Sequence, residues 1–234
     1  MNILVLNGSP KGTDSNTMLL TNTFIKGLNK KSENNIEVIN ISKKHIEHCL
    51  GCLKCLEDPE KKCIINDDIS EITEKYLNSD LAIWSFPIYH HGVPSKMKAI
   101  IDRLLPCISD CFKYIIFNND IDGKPNELGH KGKDMIISTY GLPYKTQNYD
   151  AVISQFSQIC GKKGFEKIIC SSLINIQNEQ YQVEIEEYLY DIYLAGIEYS
   201  TTGFFSKNTR EKLEREIFTQ EFLKNSLKSF FWVY

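Results

Sequence analysis

The chain has 234 residues, 42% of them hydrophobic and 24% charged, with a formal net charge of −3. That length buries one full core, or one domain with a small appendage. The lack of a basic excess argues against a nucleic-acid partner, no like-charge block marks a disordered tail, and no run approaches the roughly 18 apolar residues of a membrane span. The first apolar run is too short for a signal peptide and has no basic lead-in, so a cytoplasmic protein is expected.

In chain order, residues 3–6 form a short continuous apolar run, Ile3-Leu4-Val5-Leu6, suited to a strand buried on both faces of a parallel sheet. A loop follows at 8–15. Leu20, Phe24 and Leu28 then recur every four residues, as one face of a helix would. A second strand is predicted at 36–41. Residues 42–66 hold four cysteines and show no periodicity. Asp68 with Glu71 has the spacing of a capping box opening a helix toward Leu77. A third strand at 81–86 is followed by a loop at 87–94. Met97, Ile100, Ile101, Leu104 and Leu105 then mark a helix with one buried face. The stretch 118–132 is rich in Asn, Asp, Gly and Pro and reads as a loop. A fourth strand (135–139), a loop (140–146), a helix (about 150–161) and a fifth strand (167–173) complete the series. Polar, Tyr-rich helical stretches follow at about 181–197 and 209–229. Five strand–helix alternations predict an α/β fold, a doubly wound five-stranded parallel sheet with helices on both faces and a helical C-terminal extension. The expected organisation is one unit at 1–180, with a Cys-rich insertion at about 42–66, and an extension at 181–234 packed on the same domain.

Ligands of such sheets bind beyond the carboxyl ends of the strands, so the loop after strand one is the first place to look. Ser9, Lys11, Thr13, Ser15, Asn16 and Thr17 crowd hydroxyls, an amide and a cation just before a helix N-terminus, whose free N–H groups favour anions. A phosphate monoester fits those donors. A polar turn with Ser15 or Asn16 as helix cap fits them too. No Walker loop and no G-x-G-x-x-G is present. The stretch L-N-G-S-P-K-G-x-x-S-N-T resembles the phosphate loop of NAD(P)H-dependent FMN reductases and related flavodoxin-like oxidoreductases. Lys11 stands where Arg is commoner, keeping charge but losing bidentate geometry. The resemblance implies that Ser9, Lys11, Ser15, Asn16 and Thr17 contact the FMN phosphate.

Residues 85–103 resemble the same family's P-x-Y loop, helix and Asp-Arg signature nearly position for position. This implies that Pro87, Ile88, Tyr89 and the run from His90 through His91 to Gly92 line the flavin ring. Apolar and aromatic walls with backbone donors suit such a heterocycle; on composition alone, Tyr89 reads as an ordinary core aromatic and the two His as exposed polar residues. Ser138, Thr139, Tyr140 and Gly141 follow strand four and resemble the third flavin loop.

Of eight cysteines, Cys49, Cys52, Cys55 and Cys63 lie within fifteen residues. The spacing C-x2-C-x2-C-x7-C resembles that of iron–sulfur flavoproteins, a branch of this family, and implies metal ligation by these four in a [4Fe–4S] cluster. Free thiols and zinc fit the same spacing. Gly51, Asp67 and Asp68 also match cluster-free relatives, and Lys54, Lys61 and Lys62 would offset thiolate charge. Cys107, Cys111, Cys160 and Cys170 read as core positions.

The resemblance implies an FMN-dependent oxidoreductase that passes electrons from NAD(P)H to a small-molecule acceptor such as a quinone or another flavin. No side chain is assigned a catalytic role. The alternative it implies is an iron–sulfur flavoprotein electron carrier fed by ferredoxin. Neither nucleic acid nor membrane is an expected partner, and a homodimer or homotetramer is expected.

Overall fold

A strand covered on both faces needs apolar side chains along its whole length, and the central strands have them. β1 (Asn2–Asn7) is buried from Ile3 onward, β3 (Leu81–Pro87) through Phe86, and β4 (Lys133–Tyr140) from Asp134 to Thr139. β2 (Asn35–Asn40) and β5 (Phe165–Ser171) are the partly exposed edges. All pairings are parallel, in the order β2-β1-β3-β4-β5. These are features of a computed structural model that describes residues 1–58, 62–105, 130–141, 146–171, 179–219, 221–223 and 225.

Alternate residues of each strand sort onto opposite faces, as the two-residue repeat requires. Ile3, Val5, Ile83 and Ile137 face α1 (Asn16–Leu28) and α6 (Gln182–Thr202). Leu4, Leu6, Trp84 and Ile136 face α3 (Ile69–Leu77), α4 (Ser95–Asp102) and α5 (Thr146–Cys160). The predicted face of α1 is the buried one, since Leu20, Phe24 and Leu28 are fully enclosed. Two further helices among the described residues are the short α2 (Lys54–Glu57) within the cysteine loop and α7 (Lys207–Glu214).

Two features depart from the sequence pattern. The helix after Asp68 forms, but Asp68 makes no side-chain cap. Its carboxylate accepts from His45 N at 2.7 Å, while Asp67 Oδ1 accepts from Ile69 N at 3.1 Å. Glu71, expected to complete the box, pairs instead with Lys44 and Lys75. The second departure is α6. It supplies Tyr188, Ile192, Ala195 and Tyr199 to the core on the α1 face. It approaches α1 so closely that a Cβ at Gly27 would strike the carbonyl of Tyr193, and one at Gly196 the carbonyl of Phe24.

The expected fifth strand runs at 165–171 instead of 167–173, whose last two residues lie outside the described ones. Cys107, Cys111 and most of the 118–132 loop also lie outside them. Cys160 and Cys170 are buried, as read.

Candidate functional site

The strand order reverses direction between β1 and β3, so the loops leaving their carboxyl ends diverge and open a crevice there. The first loop is built from inside. Asn7, buried at the end of β1, accepts from Ser9 N at 3.0 Å and donates to Asn40 Oδ1 at 2.7 Å. Gly8 N donates to Ser85 O at 2.8 Å, pinning the loop to β3. Gly12 takes φ +64°, turning the chain back at low steric cost. Ser15 caps α1 by accepting from Met18 N at 3.2 Å. Ser9, Ser15 and Thr17 are buried, Asn16 is half-buried at the first helical position, and Lys11 is exposed at the rim. The loop therefore brings a helix N-terminus and one exposed cation into one short stretch, a donor set of the kind a phosphate requires.

The three loops meet at Thr139. Its hydroxyl shares a 2.6 Å hydrogen bond with Thr17 Oγ1, and its carbonyl accepts from Ile88 N at 2.8 Å. Thr17 thus spends its hydroxyl on the third loop. Ser138 is fully buried and donates to Phe86 O at 2.7 Å. Under the first loop, Thr21 Oγ1 donates to Thr17 O at 2.9 Å and lies 2.8 Å from Ser85 Oγ. Sequence reasoning missed Asn7, Thr21 and Ser85 as supports. Polar residues closing an apolar strand run, or on the buried side of α1, were the available signal.

The second loop carries the aromatic wall. Ile88 is buried, Pro87 half-buried, and Tyr89 is 50% exposed. Tyr89 and Gly92 exchange backbone hydrogen bonds of 3.0 Å, closing a two-residue turn with His90 and His91 at its tip. Both take left-handed backbone, at φ 47° and 62°. A turn with both central residues at positive φ favours Asn-Gly, and a residue with a Cβ costs about 1–2 kcal/mol in this region. Tyr140 and Gly141, half-buried, complete the wall across from His91. The arrangement offers phosphate donors at one end and an aromatic, partly open wall at the other, which fits FMN by the chemistry of its donors.

The cysteine loop hangs on α4, the helix that follows the second loop. Lys96 of α4 donates to Ser42 O and Lys44 O at 3.2 and 2.7 Å. Arg103, directly after α4, is buried with Asp67 in a two-pronged ion pair and donates to Glu47 O at 3.0 Å. Its Nη2 also lies 3.3 Å from Cys63 Sγ. Burial would raise the Asp67 carboxyl; the Arg103 guanidinium and the N–H groups of Glu47 and Ile69 outweigh it and hold the carboxyl below its usual range. All four cysteines line one small cavity with Arg103, and burial followed by the Cys63 thiol pushes the Cys55 thiol up. Cys49 and Cys52 are exposed, Cys55 and Cys63 half-buried. Among the described residues no three Cys, His, Asp or Glu side chains are gathered into a metal-holding group. Lys61 lies outside those residues. No described helix is long and apolar enough to cross a membrane.

Residues 1–189 match the family model described as the flavodoxin-like fold. An iron–sulfur flavoprotein of Methanocaldococcus jannaschii is 36% identical over 108 residues, covering 45% of this chain and 53% of the relative. An FMN-dependent NADH:quinone oxidoreductase of Pseudoalteromonas atlantica is 24% identical over 114 residues, 44% of this chain and 54% of the relative. The matched stretch thus spans about half the length of each of these two relatives. Among solved structures, an FMN-dependent NADH-azoreductase from Bacillus anthracis in complex with FMN superposes with a TM-score of 0.59 at 14% identity, covering 86% of this chain and 98% of that one. The NAD(P)H:quinone oxidoreductase from Methanothermobacter marburgensis gives 0.59 at 13% identity, with 84% and 98% covered. At such identities these two likenesses speak for the fold.

Proposed function

Because the chain belongs to the flavodoxin-like fold family, we propose that it is an FMN-dependent oxidoreductase passing electrons from NAD(P)H to a small planar acceptor such as a quinone or flavin. The observation that carries this reading is the convergence of three loops on Thr139, which joins the phosphate-type loop to the aromatic wall. Relatives and structural neighbours named for FMN-dependent NADH chemistry support it. FMN, when bound, supplies the two-electron redox chemistry. The chain's part is to hold it: Ser9, Lys11, Ser15, Asn16 and Thr17 at the phosphate, Pro87, Ile88, Tyr89, His90, Gly92 and Ser138, Thr139, Tyr140, Gly141 around the ring. Residues 1–180 form the cofactor-binding unit and 181–234 the extension packed on it, working as a homodimer or homotetramer.

Stopped-flow mixing of FMN-loaded protein with NADH and with NADPH tests the proposal. Bleaching of the flavin band near about 450 nm by either nucleotide is expected; failure of both removes the reductase assignment.

A second reading has its own observation, the four thiols on one cavity beside a buried guanidinium. Relatives named iron–sulfur flavoproteins support it. In that reading Cys49, Cys52, Cys55 and Cys63 hold a [4Fe–4S] cluster and ferredoxin supplies the electrons. Iron and labile sulfide in anaerobically prepared protein, with flavin reduction by reduced ferredoxin in place of NAD(P)H, would decide for it.

A further inference from the structure

β1 and β2 read alike, Asn-Ile-Leu-Val-Leu-Asn beside Asn-Ile-Glu-Val-Ile-Asn, and their register sets Asn against Asn at both ends. Asn is disfavoured in strands, so its place at all four ends asks for a reason. At the amino end, Asn35 Nδ2 donates to Asn2 Oδ1 at 3.2 Å between two exposed side chains. The carboxyl end differs. There Asn7 is fully buried and Asn40 half-buried, and the amide pair continues into the first loop. Asn7 Nδ2 donates to Asn40 Oδ1 at 2.7 Å, and Asn7 Oδ1 accepts from Ser9 N at 3.0 Å.

The order of atoms in this chain is forced. A backbone N–H only donates, so the Asn7 atom facing Ser9 is the amide oxygen. The other end of the same amide is then NH2, which needs an acceptor where it is buried, and Asn40 supplies it. Without that acceptor the Asn7 amide can turn over, setting NH2 against the N–H of Ser9. The Ser9 carbonyl is held as well, accepting from Gly12 N at 3.0 Å. Both backbone groups of Ser9 are thus engaged inside the protein, and a phosphate meets this residue through its hydroxyl.

Resting on the FMN reading above, we propose that Asn40 is a positioning residue for the phosphate end of the cofactor: through the Asn7 amide it fixes Ser9, and so favours FMN over riboflavin, the same flavin without its phosphate. Asn40 belongs to the edge strand β2, which supplies none of the cofactor contacts named above. It acts from the neighbouring strand without touching the ligand. The exposed Asn2–Asn35 rung joins the same two strands by the same chemistry at the opposite end, and so serves as a built-in control.

Asn40→Val and Asn35→Val each remove one rung, and fluorescence titrations with FMN and with riboflavin read the result. Asn40→Val should raise the FMN Kd about fivefold, the loss expected of one hydrogen bond, and leave the riboflavin Kd unchanged. Asn35→Val should change neither. Asn40→Ser, whose hydroxyl is too short to reach the Asn7 amide, carries the same expectation and stands in if the Val variant does not fold. An unchanged FMN Kd overturns the relay, as does an equal rise for both flavins. A matching rise in Asn35→Val also overturns it, since the effect would then be general loosening of the β1–β2 pair. Unaltered protein that binds FMN no more tightly than riboflavin removes the phosphate-loop reading itself, and this is seen before any variant is made.

Discussion

The three loops at the carboxyl edge of the sheet and the cysteine loop at 42–66 are both candidate redox regions, yet they are held in different ways. The edge loops are fixed by neighbouring strands: Gly8 bonds to β3, Ile88 to β4, and Thr17 to Thr139. The cysteine loop runs outside the sheet and is held by long side chains from one helix, Lys96 and Arg103. Strand-borne contacts are short and numerous, so loss of one is shared. A loop hung on a buried guanidinium and one carboxylate concentrates its stability in that pair. The two regions also share α4, whose N-terminal side carries the ring loop and whose C-terminal end carries Arg103.

The strongest way to break this contrast is Arg103→Ala. Removing one partner of a buried ion pair costs about 3–5 kcal/mol, or a melting temperature lower by roughly 10 °C for a domain of this size. Cys63 and Cys55 should then react readily with a thiol reagent, while FMN uptake at the edge loops persists in the fraction that stays folded. Gly196→Ala tests the edge loops in return, since its Cβ would strike α1, whose N-terminus opens on the crevice. Overpacking of this kind costs about 1–3 kcal/mol. Weakened FMN binding without faster thiol reaction is the expected pattern, read by fluorescence titration and thiol assay together.

A smaller effect should follow at the hub. Thr17→Val or Thr139→Val alone leaves one buried hydroxyl unpaired, at about 1–3 kcal/mol, whereas the double replacement should be nearly neutral. A denaturant-melt double-mutant cycle reads this coupling. Acid gives the gentlest probe of the cysteine loop. The folded Asp67 carboxyl titrates below its usual value, so its contribution is full above the unfolded value of about 3.9 and is lost as pH falls through the folded one. The melting temperature of the unaltered protein should therefore drop more steeply below about pH 4 than that of Asp67→Asn, whose side chain cannot titrate.

Much of the fold was legible because its signals are local. The apolar run at 3–6, the four-residue recurrence of Leu20, Phe24 and Leu28, and the strand–helix alternation each depend on neighbours within a turn or two. The donor-rich character of the loop before α1 was legible for the same reason, its hydroxyls, cation and helix start being contiguous. The capping device was not, because Asp68 and Glu71 found partners across space at His45 and Lys44. Nor was the role of α6. Its stretch reads only as polar, Tyr-rich and helical, whereas Tyr188 lies in the core with its hydroxyl donating to Leu213 O at 3.0 Å. Another such group joins His130, Tyr76 and Trp84 around the buried Asp134, partners up to 58 residues apart. His90 and His91 were visible as residues, but their strain was not, since backbone angle is set by the turn that closes around them.

The sequence by itself determined the parallel α/β sheet, which edge of it carries the donors, and the clustering of four thiols, because periodicity and contiguous motifs are written in chain order. Only the tertiary structure decided that Thr139 ties three loops together, that Arg103 anchors the cysteine loop beside Cys63, and that two histidines stand in a strained turn. Each of those joins groups far apart in the chain or depends on backbone closure, and such contacts exist only once burial has brought the strands into register.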